Sequence, residues 1–356
     1  YYRRKNEKGE FSGGALFYLR DGLSAVPYIK RIAKPLSFLF AFFCVFASFG
    51  IGNAVQANNI AVTAVSLFSL LPKSVFGTVL SPCFIVGLLL AAVTYICLSG
   101  GLSGVGKIAE RLVPFMALLY IGGCLYIIFS RFSLLPAAFV SIFKGAFGFL
   151  PVCGGSLGFL ISQTIKTGIK RGVFSNEAGL ASSVTVNASS SAANPVSQGM
   201  WGIFEVFADT FVICTLTALV ILVSGNIDLE TGRCLSSLEG TALVISAFSS
   251  SMGSVAAIFV SVSSLLFSFT TILGWSQYGI KACEYIFGVS SAAVYRFVFV
   301  LFTVIGATVS LKAAWDISDI FNGLMALPNL VGLFFLAPKV KEITGKYTGK
   351  RLNLSE

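Results

Sequence analysis

The sequence predicts an all-α integral membrane protein that crosses the bilayer several times. Hydrophobic residues make up 56% of the chain and charged residues only 11%, whereas about 25% of the residues in a soluble domain are charged. Long uncharged runs, such as residues 35–72, 74–106 and 240–280, separate the charges. Because a helix needs about 20 apolar residues to cross the hydrocarbon, composition and charge spacing together exclude an ordinary soluble protein.

Cutting the chain at its charged residues indicates eight membrane-crossing helices within one transmembrane domain, residues 1–356. Two further apolar stretches, 134–148 and 241–252, are too short to cross and have polar ends, so they are predicted as interfacial helices. The predicted crossings are residues 36–57, 76–99, 112–131, 152–170, 200–224, 254–279, 294–312 and 318–338.

The basic residues set the predicted orientation. With residues 1–34 as a cytoplasmic loop and 339–356 as a cytoplasmic tail, alternation puts 20 of the 25 Lys and Arg residues on the inner side, as the positive-inside rule requires. Residues 166–171 are then inside, and Asp316 and Asp319 lie near the outer end of the last crossing. The net charge of +10 is therefore a topology signal, which excludes nucleic acid as a partner and makes the lipid bilayer the expected one.

Residue usage argues against an enzyme. The chain has no histidine, which removes the usual catalytic base, proton shuttle and zinc ligand. Its eight cysteines form no Cys-x-x-Cys pair, and seven of them fall in or beside apolar segments, so they are interpreted as packing residues. No cofactor is expected.

The first polar motif lies at the end of the first predicted crossing, over residues 48–59. Asn53, Gln56 and Asn59 recur at i, i+3 and i+6, so the first two at least share a helix face. Carboxamides offer donors and acceptors without charge, which suits a zwitterionic ligand. A polar clasp between helices is the alternative.

The second motif, residues 170–179, puts Asn176 and Glu177 beside glycines that loosen a helix. An ionisable residue at membrane depth costs ~3 kcal/mol and by default signals function. A glycine-punctuated helix break frees backbone groups that can bind an ion or a carboxylate, and Phe174 would offer an apolar wall there. The alternative is a cytoplasmic helix end at which Glu177 is solvated.

Two further sets of residues lie within apolar helices. Adjacent hydroxyls at Thr270 and Thr271 can bind a hard cation such as sodium, and Trp275 follows Thr271 on the same helix face. Bonding of the hydroxyls back to helix carbonyls is the alternative. Glu205 and Asp209 lie one turn apart. Because like charges at this spacing repel, one of them is expected to be protonated, neutralised by a partner or near the interface. They are predicted to be gating or structural residues, and a buried proton relay is the alternative.

Three stretches of the chain resemble the alanine or glycine:cation symporter family. They are Phe-Gly-Ile-Gly-Asn-Ala-Val-Gln-Ala-Asn at 49–58, Gly-Val-Phe-Ser-Asn-Glu-Ala-Gly at 172–179 and Thr-Thr-Ile-Leu-Gly-Trp at 270–275, and the resemblance extends from Gly9 to Leu336. It implies a broken-helix fold of two inverted five-helix repeats, here without the family's first two transmembrane helices. One departure is Ala181, where the family usually has glycine.

The resemblance implies secondary active symport of a small neutral amino acid, alanine or glycine, with sodium across the bacterial inner membrane. A facilitator or channel without ion coupling and an inactive truncated carrier remain the alternatives, and the oligomeric state is open. The resemblance assigns Gln56, Phe174, Thr271 and Trp275 to the substrate, Thr270 and Thr271 to sodium, and Asn53, Asn176, Glu177 and Asp209 to gating or structure.

Overall fold

The computed structural model describes residues 1–5, 9, 11–68, 81–147, 157–177, 179–238 and 240–352, and helices dominate them. A two-stranded antiparallel hairpin of β1 (Arg4–Lys5) and β2 (Phe11–Ser12) precedes the first helix. The helices are α1 (Ala15–Phe17), α2 (Lys30–Phe49), α3 (Val55–Phe68), α4 (Pro82–Ser99), α5 (Gly101–Ser130), α6 (Leu135–Phe147), α7 (Leu157–Ser175), α8 (Val184–Asn187), α9 (Pro195–Val206), α10 (Thr215–Val223), α11 (Gly240–Met252), α12 (Val255–Phe287), α13 (Ser291–Thr308) and α14 (Leu311–Leu352).

Two pairs of these helices are joined end to end by π-helical segments. A third π-helical segment, Tyr18–Gly22, follows α1. Of the two that join helices, Gly50–Ala54, here called the first π segment, connects α2 to α3. The second π segment, Phe207–Cys214, connects α9 to α10. A π-helix hydrogen-bonds from residue i to i+5 and is often found at functional sites. The stretch from α2 to α3 and the stretch from α9 to α10 therefore each form one continuous helical rod, with a local change of helical register at the π segment.

Seven helical stretches of the described residues are long and apolar enough to cross a membrane, and each overlaps one predicted crossing. The short helices predicted at 134–148 and 241–252 are observed as α6 and α11. The crossing predicted at 152–170 begins outside the described residues. Its described part belongs to α7, which carries three basic residues and is not among the seven. The seven stretches are Lys30–Leu67, Pro82–Ser99, Gly104–Ser130, Pro195–Val223, Val255–Phe287, Ser291–Thr308 and Leu311–Gly349.

Helix α12 lies at the centre of the described bundle and packs against α2, α3, α5, α11 and α13, while α14 packs along α2. Small residues allow the closest approaches, as is usual between membrane helices. At Gly306 of α13, an added Cβ atom would come within 2.4 Å of the Ala54 Cα atom. Large apolar side chains such as Phe129, Phe204 and Phe334 point outward. The chain is thus a multi-pass membrane protein.

One contact corrects the predicted topology. Lys170 Nζ lies 2.5 Å from Asp319 Oδ2, so these residues cannot lie at opposite ends of the bundle. Leu336, which contacts Gly22, is about 25 Å further along α14 at ~1.5 Å per residue. If residues 1–34 are cytoplasmic, the placement of Lys170 inside is wrong.

The reason for this error lies at the end of α7. The Asn329 Nδ2 atom donates a hydrogen bond of 2.7 Å to the Gly179 carbonyl, so the segment after α7 lies beside the middle of α14 and not beside its end. The predicted topology alternates between the inner and outer sides from one crossing to the next, which assumes that each helix crosses the whole bilayer. Because α7 ends beside the middle of α14, the side on which its basic residues lie does not follow from this alternation.

Candidate functional site

A polar cavity of about 290 Å³ opens between α3, α5, α11, α12 and the second π segment. Carboxamides, hydroxyls and one carboxylate share its wall with apolar side chains. The described residues that line it are Gln56, Asn59, Tyr120, Asp209, Ile213, Thr217, Thr241, Val244, Val260, Ser264, Phe267, Ser268 and Thr271. A cavity of this size is near the lower end of small-molecule sites, about 300–1,000 Å³.

Two carboxamides of the first motif face this cavity from α3. Gln56 Nε2 donates a hydrogen bond of 3.3 Å to the Ile51 carbonyl at the π segment. Asn59 Nδ2 donates to Ser264 Oγ at 2.9 Å and Ser268 Oγ at 2.8 Å, and its Oδ1 accepts from Thr241 at 2.9 Å. Asn59 is thus held by three hydroxyls, whereas the Gln56 side-chain oxygen accepts no hydrogen bond from the described residues.

Asn53 faces elsewhere, so the prediction that it shares a face with Gln56 is wrong. It is fully buried, and its Nδ2 atom donates a hydrogen bond of 2.6 Å to the Phe299 carbonyl of α13. The wider turn of the π segment changes the angle between residues 53 and 56. Asn53 is therefore a polar clasp between helices, the alternative that the sequence left open.

The two threonines of α12 point in different directions. Thr271 lines the cavity, and its Oγ1 donates a hydrogen bond of 2.9 Å to the Phe267 carbonyl. Thr270 Oγ1 makes similar bonds to the carbonyls of residues 266 and 267 and lies 3.9 Å from Met116 Sδ of α5. Of this pair, only Thr271 presents its hydroxyl to the cavity.

Trp275 lies one turn beyond Thr271 and is 3% exposed. It packs against the first π segment so closely that a Cβ atom added to Gly52 would come within 2.2 Å of the Trp275 Cβ atom. Its ring also meets Tyr278 edge-on at 5.3 Å between centroids. The indole thus supports the segment that leads to Gln56 and is not among the described lining residues of the cavity.

The second motif reaches the cavity through Ser175, the last residue of α7. Its hydroxyl donates a hydrogen bond of 2.5 Å to Asp209 Oδ2 on the second π segment. Phe174 precedes it in α7, but its side chain lies outside the described part of the structure. Asn176 closes the helix through its backbone N–H, which donates to the Gly172 carbonyl at 3.3 Å.

The chain after α7 turns sharply instead of continuing as a helix. Glu177 and Ala181 both adopt positive φ, 52° and 59°, which is uncommon without glycine. Glu177 Oε2 accepts hydrogen bonds from Ser182 Oγ at 2.6 Å and from the Ser183 N–H at 3.0 Å. Its carboxylate therefore holds the turn together, and Ala181 takes a left-handed conformation where the resembled family has glycine.

Several lining residues had not been singled out. Ser264 and Ser268 extend the polar stripe of Thr271 along α12 at i, i+4 and i+7, a spacing that could have revealed them. Tyr120 had no such signal, since it sits alone in an apolar run. Its hydroxyl lies 2.9 Å from Thr217 Oγ1, so it completes the far wall of the cavity.

Long apolar helices around a polar cavity with one described carboxylate are the architecture of a multi-pass membrane protein. Residues 1–355 match the model of the sodium:alanine symporter family. The chain belongs to that family, which is a family of transporters and not of enzymes.

Named relatives agree with this assignment. The sodium/alanine symporter AgcS of Methanococcus maripaludis is 37% identical over 99% of this chain and 73% of its own length. The probable sodium/glutamine symporter GlnT of Bacillus subtilis is 35% identical over 98% of this chain and 67% of its own length. The amino-acid carrier protein AlsT of the same organism is 31% identical over 96% and 67%.

Proposed function

We propose that this protein carries a small neutral amino acid, alanine or glycine, together with sodium across the bacterial inner membrane. The observation that carries the proposal is the cavity between Gln56, Thr271 and Asp209 in a sodium:alanine symporter family chain. The relative named a sodium/alanine symporter supports alanine as the substrate. The relative named for glutamine makes that larger amino acid the competitor to test.

In this proposal Gln56 and Thr271 contact the polar groups of the amino acid. Phe174 forms an apolar wall, and Trp275 supports the first π segment next to Gln56. Thr271 contributes its hydroxyl to sodium, whereas Thr270, the other predicted sodium ligand, faces Met116. Asn53, Asn176, Glu177 and Asp209 are gating or structural residues. The turn that Glu177 stabilises through Ser182 and Ser183 fits a helix break in a five-plus-five inverted-repeat carrier.

The deciding experiment is uptake of labelled alanine by proteoliposomes under an inward sodium gradient. We expect alanine to accumulate above its external concentration and to leak back when the gradient is collapsed. Equilibration without accumulation would indicate a facilitator, and no uptake in either condition would indicate an inactive carrier. An excess of glycine or of glutamine, added separately, identifies the accepted side chains.

We also propose that residues 1–34 and 339–356 face the cytoplasm. Cys234 offers a native reporter, because it is exposed in the polar loop between α10 and α11. A membrane-impermeant maleimide should label it in intact cells, and Cys234→Ser should remove that label. Labelling of Cys234 only after the membrane is opened would reverse the orientation.

A further inference from the structure

The carboxylate of Asp209 is the one charged group among the described residues that line the cavity. It accepts hydrogen bonds from Ser175 Oγ at 2.5 Å and Thr210 Oγ1 at 3.5 Å. Among the described residues, no Lys or Arg forms an ion pair with it. Charged residues at membrane depth are costly and pair with one another or mark an ion pathway. In the part of the chain that the structure describes, Asp209 therefore has no positively charged partner.

The nearest basic residues of α7 are engaged with α14 instead. Lys170 pairs with Asp319 at 2.5 Å, and the Arg171 guanidinium lies over the Trp315 ring at 4.4 Å. Both side chains therefore have partners on α14, and neither forms a described ion pair with Asp209.

The groups around Asp209 suit a small hard cation. Ser175 and Thr210 contribute hydroxyl oxygens within hydrogen-bond distance of the carboxylate, and Gln56 and Thr271 line the same cavity. Sodium prefers oxygen ligands of this type. Ser175 also ends α7, where the free carbonyls and the negative end of the helix dipole favour a cation.

We propose that Asp209 and Ser175 bind the coupling sodium ion between the end of α7 and the second π segment. This inference rests on the proposed function. It gives Asp209 a direct part in coupling, because the ion would fasten the residue after Phe174 to the cavity that holds the amino acid. Sodium would then improve amino-acid binding by fixing the end of α7, which is the reciprocal linkage that symport requires.

The ammonium group of the amino acid is a cation too, so the test must separate it from sodium. Calorimetry on the purified full-length protein in detergent gives two quantities: the sodium concentration for half-maximal alanine binding, and the alanine Kd at saturating sodium. Losing a charged hydrogen-bond partner weakens binding by about 10- to 100-fold. We expect Asp209→Asn to raise the sodium requirement by that factor and to change the alanine Kd at saturating sodium by less than threefold.

Two further variants sharpen the result. Ser175→Ala removes a neutral ligand and should raise the sodium requirement by only about 2- to 12-fold. Glu205→Gln is the matched control, because Glu205 lies one turn earlier on the same rod, is exposed and is absent from the described cavity lining. It should leave both quantities unchanged within twofold.

An Asp209→Asn protein with normal sodium dependence but weak alanine binding at saturating sodium would assign the carboxylate to the ammonium group and overturn the proposal. Wild-type alanine binding that ignores sodium would instead overturn the proposed function. Sodium-specific thermal stabilisation, measured against choline chloride, covers a variant that is too unstable for calorimetry. Wild type and Glu205→Gln should be stabilised by sodium, whereas Ser175→Ala should need more sodium. Equal stabilisation of all three at every concentration would contradict the proposal.

Discussion

The two described π segments that join helices use the same distortion of a helix in opposite ways. In the first, Gly50 to Asn53 are all buried, and α12 and α14 press against its glycines. None of the residues in the second is buried, and it presents Asp209 to the cavity. The comparison teaches that a π turn between packed helices needs glycines, whereas one beside a cavity can carry a charged side chain.

Close packing at the first π segment predicts the largest effect. A Cβ atom at Gly52 would come within 2.2 Å of Trp275 Cβ, so Gly52→Ala forces the backbone of α12 or of the π segment to move. We expect a loss of stability at the upper end of about 1–3 kcal/mol, seen as a lower melting temperature in detergent.

The matched control is Gly274→Ala on α12, where an added Cβ meets none of the described atoms within 4 Å. This variant should melt at or above the wild-type temperature, since alanine is the better helix former by about 1 kcal/mol. If Gly52→Ala melts like wild type as well, the glycine is not required by packing, and the comparison of the two π segments fails.

The next effect concerns the residue that follows the first π segment. Losing a buried polar partner costs ~1–3 kcal/mol, so Gln56→Ala should weaken alanine binding by roughly 5- to 150-fold. Asn58→Ala is the control, because that carboxamide donates to the Val309 carbonyl at 2.5 Å, away from the cavity. It should lower stability and leave the alanine Kd unchanged. Wild-type affinity in Gln56→Ala would put the amino-acid site elsewhere.

The sequence singled out residues of the first π segment as a polar motif, but it predicted neither π segment. The run Gly50-Ile51-Gly52-Asn53 combines glycines with a carboxamide and stands out within an apolar helix. The second segment has no glycine, and its Asp209 looked like one member of a repelling pair with Glu205. The structure separates the two acids, since Glu205 is exposed and Asp209 lines the cavity. A π-helical segment that needs no glycine has no residue pattern by which the sequence could predict it.

The apolar helices were predictable because each is a long uncharged run, and seven were confirmed. The position of Lys170 was not predictable, because its partner Asp319 lies 149 residues away in sequence. The bond between Ser175 and Asp209 was hidden for the same reason. Hydrophobic pattern predicts that a helix exists, but the depth at which one helix meets another depends on pairwise contacts that no local pattern contains.

The smallest expected effect separates the two threonines of α12. Thr271 faces the cavity that the second π segment lines, whereas Thr270 faces Met116. Because a neutral hydroxyl contributes about 0.5–1.5 kcal/mol, Thr271→Ala should raise the sodium concentration for half-maximal alanine uptake by about 2- to 12-fold. Thr271→Ser, which keeps the hydroxyl, should restore it, and Thr270→Ala should have the weaker effect. Unchanged sodium dependence in both alanine variants would remove the pair from the ion site and leave Asp209 and Ser175 as its proposed ligands.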